Sequence, residues 1–280
     1  MKVAVMTDST AYIPAEIREK ANIHMVPLSV VFGDKSYEEE IDITTEEFYQ
    51  KVRETKQLPK TSQPSIGYVT TKLEELKKDY DAVVSVHLSS GISGTYQTVI
   101  SAGEMIDGID VYAYDSEMSC MVQGFYALEA AKMAEQGKAV GEIIQRLDEM
   151  KETMKAYFMV DDLTNLQRGG RLSGAQALVG SLLQVKPILH FSEKLIVPFE
   201  KIRTRKKAIS RIIGMLEEDA NKGKDLSVVF IHGNDEASAL ELRDAFLQKY
   251  PSMEATISYF GPVIGTHLGE GAIGVGWYVK

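Results

Sequence analysis

Short apolar runs alternate along this chain with longer stretches whose apolar positions recur three and four apart. Val3-Ala4-Val5-Met6 reads as a buried strand, followed by a helix from Pro14 and a second apolar run from Met25 to Phe32. Thr44 with Glu47 three positions later forms a capping box and predicts a helix to about Glu54. A further helix is expected over Ser65 to Lys78. Strands follow at Ala82 to Val86 and Val111 to Tyr114, with helices over Ser93–Met105, Met118–Gln136 and Gly141–Met154. Strands alternating with helices imply crossover connections and a mostly parallel sheet.

After Met154 the texture changes. Tyr157-Phe158-Met159-Val160 opens a second series, continued by Pro187–His190, Leu195–Phe199, Leu226–Ile231 and a last run ending at Tyr278-Val279. Helices are expected near Thr204–Glu217 and Glu236–Tyr250. The pattern predicts an α/β fold with two domains: residues 1–155 with a mainly parallel sheet and helices, and a smaller α/β domain over residues 156–280.

Composition narrows the function classes. The 280 residues are 44% hydrophobic and 25% charged, ordinary globular values. The net charge of −9 argues against broad contact with a phosphate backbone, so no nucleic-acid partner is expected. A single cysteine, Cys120, excludes an internal disulfide and a cysteine-based zinc finger, and is expected to be a small buried hydrophobe. Asp8 comes too early for a secretory leader, and no apolar run approaches the roughly 18 residues of a spanning helix. These features predict a soluble, cytoplasmic protein. Gly137-Lys138 and Gly223-Lys224 continue with Ala139 and Asp225, so neither is a phosphate-binding loop. No dinucleotide fingerprint follows the first strand, no histidine pair has helical metal-site spacing, and no nucleophile elbow is present. No metal or cofactor is expected.

Four loops concentrate hydroxyls and glycines: Thr7-Asp8-Ser9-Thr10, Thr61-Ser62-Gln63-Pro64-Ser65, Ser89-Ser90-Gly91-Ile92-Ser93-Gly94-Thr95 and Gly261-Pro262-Val263-Ile264-Gly265-Thr266-His267. The first three are expected at the carboxyl ends of strands, where open parallel sheets bind ligands. Backbone N–H groups at a helix start, with a hydroxyl beside them, suit a carboxylate or phosphate, and Gly91 and Gly94 would let it approach closely. Capping or turn roles explain the same residues without a ligand, and both readings stand at this point. Arg168-Gly169-Gly170-Arg171-Leu172-Ser173 and the group Arg203, Arg205, Lys206 and Lys207 are basic; each is either a solvated segment or a docking face.

These strings, together with Asp115-Ser116 and Lys186-Pro187-Ile188, occur in an order that resembles the DegV family, the fatty-acid-binding subunits (FakB) of bacterial fatty acid kinase. The resemblance covers essentially the whole chain. It implies two α/β domains with an acyl-chain tunnel between them, and a ligand carboxylate held by Thr61 and Ser93 with His267 close by. Ser62, Gly94, Thr95 and Thr266 would support them. The chain itself would be a non-catalytic carrier that presents the carboxylate to an ATP-dependent kinase for acyl-phosphate formation. Arg171, Arg203 and Arg205 would dock that partner, and transient membrane contact would deliver the lipid. The chain departs from the family pattern at Gly269-Glu270-Gly271 and at Ala11-Tyr12. Glu270 would place a negative charge near the carboxylate or point outward. Two other readings are open: an enzyme acting on a small metabolite with Ser93 as nucleophile and His267 as base, and a regulatory module responding to lipid.

Overall fold

The structure, a computed structural model, describes residues 1–55, 58–161, 163–172 and 186–280. The first half begins β1 (Val3–Asp8), α1 (Ala15–Lys20), β2 (Ile23–Val26), β3 (Ser29–Phe32), β4 (Lys35–Glu38), α2 (Thr45–Thr55) and β5 (Lys60–Ser62). It continues α3 (Ile66–Leu76), β6 (Ala82–His87), α4 (Thr95–Gly103), β7 (Asp110–Asp115), α5 (Cys120–Glu135) and α6 (Val140–Thr153). The second half begins β8 (Lys155–Met159), α7 (Thr164–Arg168), β9 (Lys186–Ser192), β10 (Leu195–Ile202) and α8 (Arg205–Ala220). It ends β11 (Leu226–His232), α9 (Glu236–Lys249), β12 (Glu254–Tyr259), α10 (Pro262–Leu268) and β13 (Ile273–Val279).

Three sheets result. β2-β1-β6-β7 is wholly parallel, as the alternating pattern predicts. β4-β3-β5 is a small antiparallel sheet. The third, β10-β9-β8-β13-β11-β12, is antiparallel except where β11 meets β12. With six strands it is wider than the parallel sheet, so the second half has the larger sheet despite its shorter sequence.

Local chemistry explains the element ends. Thr44 Oγ1 accepts from the Glu47 amide at 3.2 Å and Glu47 accepts back from the Thr44 amide at 2.9 Å, the reciprocal box expected before α2. Ser65 Oγ accepts from the Tyr68 amide and caps α3. The Met25–Phe32 run is two strands rather than one, divided at Pro27, which has no amide to give a ladder. The glycine-rich string 261–267, expected as a loop, is mostly the helix α10, with Pro262 at its first position where a missing N–H costs nothing.

The layers meet on α5. Ten of its residues between Cys120 and Ala131 are buried, on every side of the helix, because it packs on β1 and β6 in one direction and on β11, β12 and β13 in the other. One apolar cluster therefore runs from Val5 and Val84 through Met121 and Phe125 to Ile231, Phe260 and Tyr278. Buried polar groups join the halves. Glu39, with no exposed surface, accepts from Ser9 Oγ at 2.6 Å, Tyr12 OH at 2.7 Å and the Val263 amide of α10 at 2.7 Å.

Burial pushes the Glu39 carboxyl up to about 8, against the pull of these donors. The folded protein thus holds a proton that the unfolded chain releases near the ordinary value of 4.5, so stability falls as pH rises from about 4.5 to 8. Glu39→Gln keeps the acceptor and removes the titration. Urea unfolding at pH 5, 6.5 and 8 is expected to show a decline on the order of 3 kcal/mol in the wild type and a flatter profile in the variant.

Candidate functional site

The Thr7–Thr10 loop proves to be a strut rather than a ligand loop, since all four residues are buried. Asp8 Oδ1 accepts from the Thr10 amide and hydroxyl, and Oδ2 accepts from the Leu88 amide and Gln123 Nε2, each at 3.0 Å. His87 Nδ1 lies 3.0 Å from the same Oδ2, and His87 Nε2 lies 2.5 Å from Ser85 Oγ. Aspartate, histidine and serine here repeat the order of a hydrolase triad, yet all three are fully buried and border neither of the cavities described below. Their effect is positional: Asp8 ties the end of β1 to Leu88, where the loop toward Ser93 begins.

That loop is held from two further sides. Ser90 donates through its amide and hydroxyl to Asp115, and Ser89 Oγ donates to the Lys194 carbonyl at the β9–β10 turn. Lys194 Nζ completes the contact 3.0 Å from Asp115. Burial alone would raise the Asp115 carboxyl, but the donors from Ser90, Lys194 and Glu117 hold it below the usual carboxylate range. Both loop glycines serve this packing, and Gly94 also borders the cavity described next. A Cβ at Gly91 would stand 2.3 Å from the Lys194 carbonyl, and one at Gly94 would stand 2.1 Å from Gln63 Oε1.

With the loops placed, Thr61, Ser62, Gln63, Leu88, Ser93, Gly94, Arg171 and His267 border one polar cavity. Thr61 Oγ1 lies 2.9 Å from His267 Nε2, joining β5 to α10 across 206 positions of sequence. Ser93 Oγ lies 2.9 Å from Thr95 Oγ1 and accepts from the Thr95 amide at the start of α4. Thr266 does not join them: its hydroxyl donates back to the Pro262 carbonyl within α10. The histidine that would serve a Ser93 nucleophile is bonded to Thr61 instead.

His267 is 9% exposed, and its Nδ1 has no hydrogen-bond partner among the described residues. Burial, reinforced by the Arg171 guanidinium, pushes the imidazole down to about 4. In the folded chain it is neutral near pH 7. Arg171 also differs from its expected docking role. It is half-buried at the cavity wall, its Nε donating to the Ile92 carbonyl and its Nη1 to the Gly169 carbonyl. Arg205 is tied to Asp235 and the Gly271 carbonyl, while Arg203 is exposed. Glu270 pairs with Arg53 and Asn234 and does not border this cavity. Ser173 lies outside the described residues.

Ile92, Arg171, Ile264 and His267 also border a second, apolar cavity between α5 and the six-stranded sheet. Its walls include Cys120, Val122, Phe158, Phe191, Ile196 and Phe260. The space enclosed between them is narrow, about 40 Å³, so a ligand larger than a few waters enters by parting these walls. Cys120 is 3% exposed, and burial raises its thiol, so it acts as an apolar wall. Sequence pattern missed this cavity because its walls come from seven elements and the loops beside them, spread over more than 150 positions.

Fold and site together define an α/β protein whose apolar cavity adjoins a cluster of hydroxyls, a neutral histidine and an arginine. The DegV family model matches residues 2–280, and the chain belongs to that family. It is 58% identical, over the full length of both chains, to the DegV protein of Bacillus subtilis, and 55% identical to a DegV domain-containing protein of Listeria innocua, covering 99% of that chain. The crystal structure of the Bacillus subtilis DegV, described as a fatty acid binding protein, superposes with a TM-score of 0.96 over all of both chains. A fatty-acid-binding DegV family protein of Thermus thermophilus, 31% identical, superposes with a TM-score of 0.93, again over all of both chains.

The depressed imidazole has a stability consequence. The unfolded chain takes up a proton near the ordinary 6.5 and the folded chain only near 4, so stability is lost as pH falls through that window. NMR titration of the imidazole resonances is expected to give a His267 midpoint near 4. A midpoint at 6.5 would show an imidazole open to water.

Proposed function

We propose that this chain binds a long-chain fatty acid, buries the tail in the apolar cavity, and presents the carboxylate at the polar end. The carrying observation is that an apolar space and a polar cavity adjoin across the same four residues, Ile92, Arg171, Ile264 and His267, which sets aromatic and aliphatic walls beside hydroxyls and a cation. That gradient matches an amphiphile with one acidic end. The fatty acid binding described for the Bacillus subtilis relative supports the same class.

The energetics divide along the ligand. Each buried methylene contributes about 0.8 kcal/mol, so a tail of roughly 15 contributes on the order of 12 kcal/mol before ordering costs. A carboxylate leaving water needs donors in return. Thr61 and Ser93 offer hydroxyls, and Arg171 offers a charge. With its proton on Nε2, neutral His267 donates to Thr61 Oγ1 and frees the Thr61 hydroxyl to donate onward. Tail burial supplies affinity and the polar end supplies orientation.

The chain is a carrier without chemistry of its own in this reading, and a separate ATP-dependent kinase converts the presented carboxylate to an acyl phosphate. The lack of a phosphate-binding loop in the sequence agrees with phosphoryl-transfer machinery on another protein. Exposed Arg203 is then the docking residue, Arg171 belongs to the ligand, and Arg205 braces the β13 approach. Among the described residues no helix is long and apolar enough to cross a membrane. In this reading lipid exchange is by transient surface contact in the cytoplasm.

Thr61→Ala and Ser93→Ala are each expected to weaken carboxylate binding roughly tenfold or more, the loss of one hydrogen bond to a charged group. A fatty alcohol of equal length, which carries the tail without the charge, is expected to lose far less in the same titrations. Equal losses for both ligands would remove the hydroxyls from the head-group site. Independently, mass spectrometry of the denatured, purified protein is expected to release a stoichiometric long-chain fatty acid. Release of a polar metabolite would overturn the reading.

A further inference from the structure

The strand β13 is paired on both sides, with β8 and β11, yet carries glycine at Gly274 and Gly276. Both face α5 and its neighbours. A Cβ at Gly274 would stand 2.9 Å from Phe260 Cζ, and one at Gly276 would stand 2.3 Å from Val122 Cγ2. Glycine weakens the interior of a strand and marks a place where something else comes close. Two at alternate positions leave the sheet without side chains along one line. Ala156 of β8 lies directly opposite Gly276, so a trough runs along β13, floored by small residues and flanked by Phe158, Val229 and Ile231.

The apolar space occupies only part of this trough. Gly274, Ala156 and Val122 border it, whereas Gly276 does not. Val122 stands over Gly276 and closes the space there, while Arg171, Ile264 and His267 border it beside the hydroxyls. The two side chains over the trough are held differently. Val122 belongs to α5, which is packed between two sheets and cannot shift without disturbing both. Phe260 lies between β12 and α10, and its ring yields by turning about its own side-chain bonds. A tail arriving from the polar end displaces the Phe260 ring from Gly274 and halts against Val122.

We propose that Val122 is the stop that sets the length of acyl chain this protein accepts, with the inward face of β13 as the track on which the tail lies. This rests on the fatty-acid reading above and adds what decides chain length. Each further methylene that enters the trough raises affinity about fourfold. Once the last carbon reaches Val122 the gain ends, because a longer acid must leave carbons unburied or push a helix held on every side. Shortening Val122 uncovers Gly276, roughly 7 Å beyond Gly274 along the strand. An alanine at Gly276 refills that space. Its other neighbours, the Lys155 carbonyl at 3.4 Å and Val229 Cγ1 at 3.5 Å, are at ordinary contact distance, so the substitution is accommodated once Val122 is truncated.

The test measures binding of laurate, myristate, palmitate, stearate and arachidate to the full chain. The variants are Val122→Ala, the double variant Val122→Ala with Gly276→Ala, and Val84→Ala, which truncates an equally buried valine in the parallel sheet. Val122→Ala is expected to move the affinity maximum toward longer acids. The acid next longer than the wild-type optimum should gain about tenfold relative to that optimum, the worth of roughly two buried methylenes. The double variant is expected to return the maximum to its wild-type place, and Val84→Ala to lower thermal stability and leave the maximum unmoved. A uniform change across all five acids in Val122→Ala, or a shift that the second alanine does not reverse, overturns the proposal. Where the double variant fails to fold, Val122→Leu takes its place: a maximum moved toward shorter acids supports the stop, and an unmoved one overturns it. If no acid binds the wild type, the fatty-acid reading falls separately. The stop is then read with n-alkanols of the same lengths: a maximum that moves in Val122→Ala supports it, and a fixed maximum or no binding overturns it.

Discussion

A buried carboxyl group, Glu39, sets the geometry on which the binding end depends. It takes hydrogen bonds from Ser9 and Tyr12 beside β1 and from the first turn of α10, more than 220 positions later. α10 carries His267, so the imbedded acid fixes where the histidine meets Thr61. Breaking such a group away from its donors costs far more than a surface pair, because the partners left behind stay buried and unsatisfied. Asp8 does the same for the other wall, joining the end of β1 to the loop that leads to Ser93. The polar end of the pocket is thus held by two buried acidic side chains that never touch it.

The apolar end depends on α5. A helix covered on all sides cannot be read as a surface element, and its place between two sheets means that each sheet buries one face against the same helix. The cavity opens along this seam, where α5 gives Cys120 and Val122 and the β9–β10 hairpin gives Phe191 and Ile196. The tip of that hairpin is latched to the Ser93 loop through Lys194, Ser89 and Asp115. One wall of the apolar space is therefore mechanically coupled to the residue at its polar end.

Between the two ends the electrostatics change over one residue, His267. Its neutrality follows from burial beside Arg171, and it leaves the arginine as the positive charge shared by the two adjoining spaces. The neutral imidazole ties Thr61 through one nitrogen and keeps the other buried against the Gly169 backbone, with no hydrogen-bond partner among the described residues. A protonated one would compete with Arg171 for the same anion and would resist burial.

Much of this was legible in the sequence. Alternating strand and helix patterns predict the parallel sheet, since period and length are local properties that burial then confirms. The capping box at Thr44 and the cap at Ser65 are encoded within four residues. The ordered hydroxyl and glycine strings point to the DegV family and single out Thr61, Ser93 and His267. What only the tertiary structure decided concerns partners distant in sequence. Gly91 looked like an opening for a ligand and is packed against Lys194, while Gly94 meets Gln63 where it borders the cavity. Arg171 looked like a surface cation and lines the pocket. The string 261–267 looked like a loop because glycine disfavours helices locally, and the donors accepted by Glu39 and Tyr12 override that preference. The proton state of His267 depends on how many neighbours exclude water from it, a sum over the whole fold that no neighbouring residue in the chain reveals.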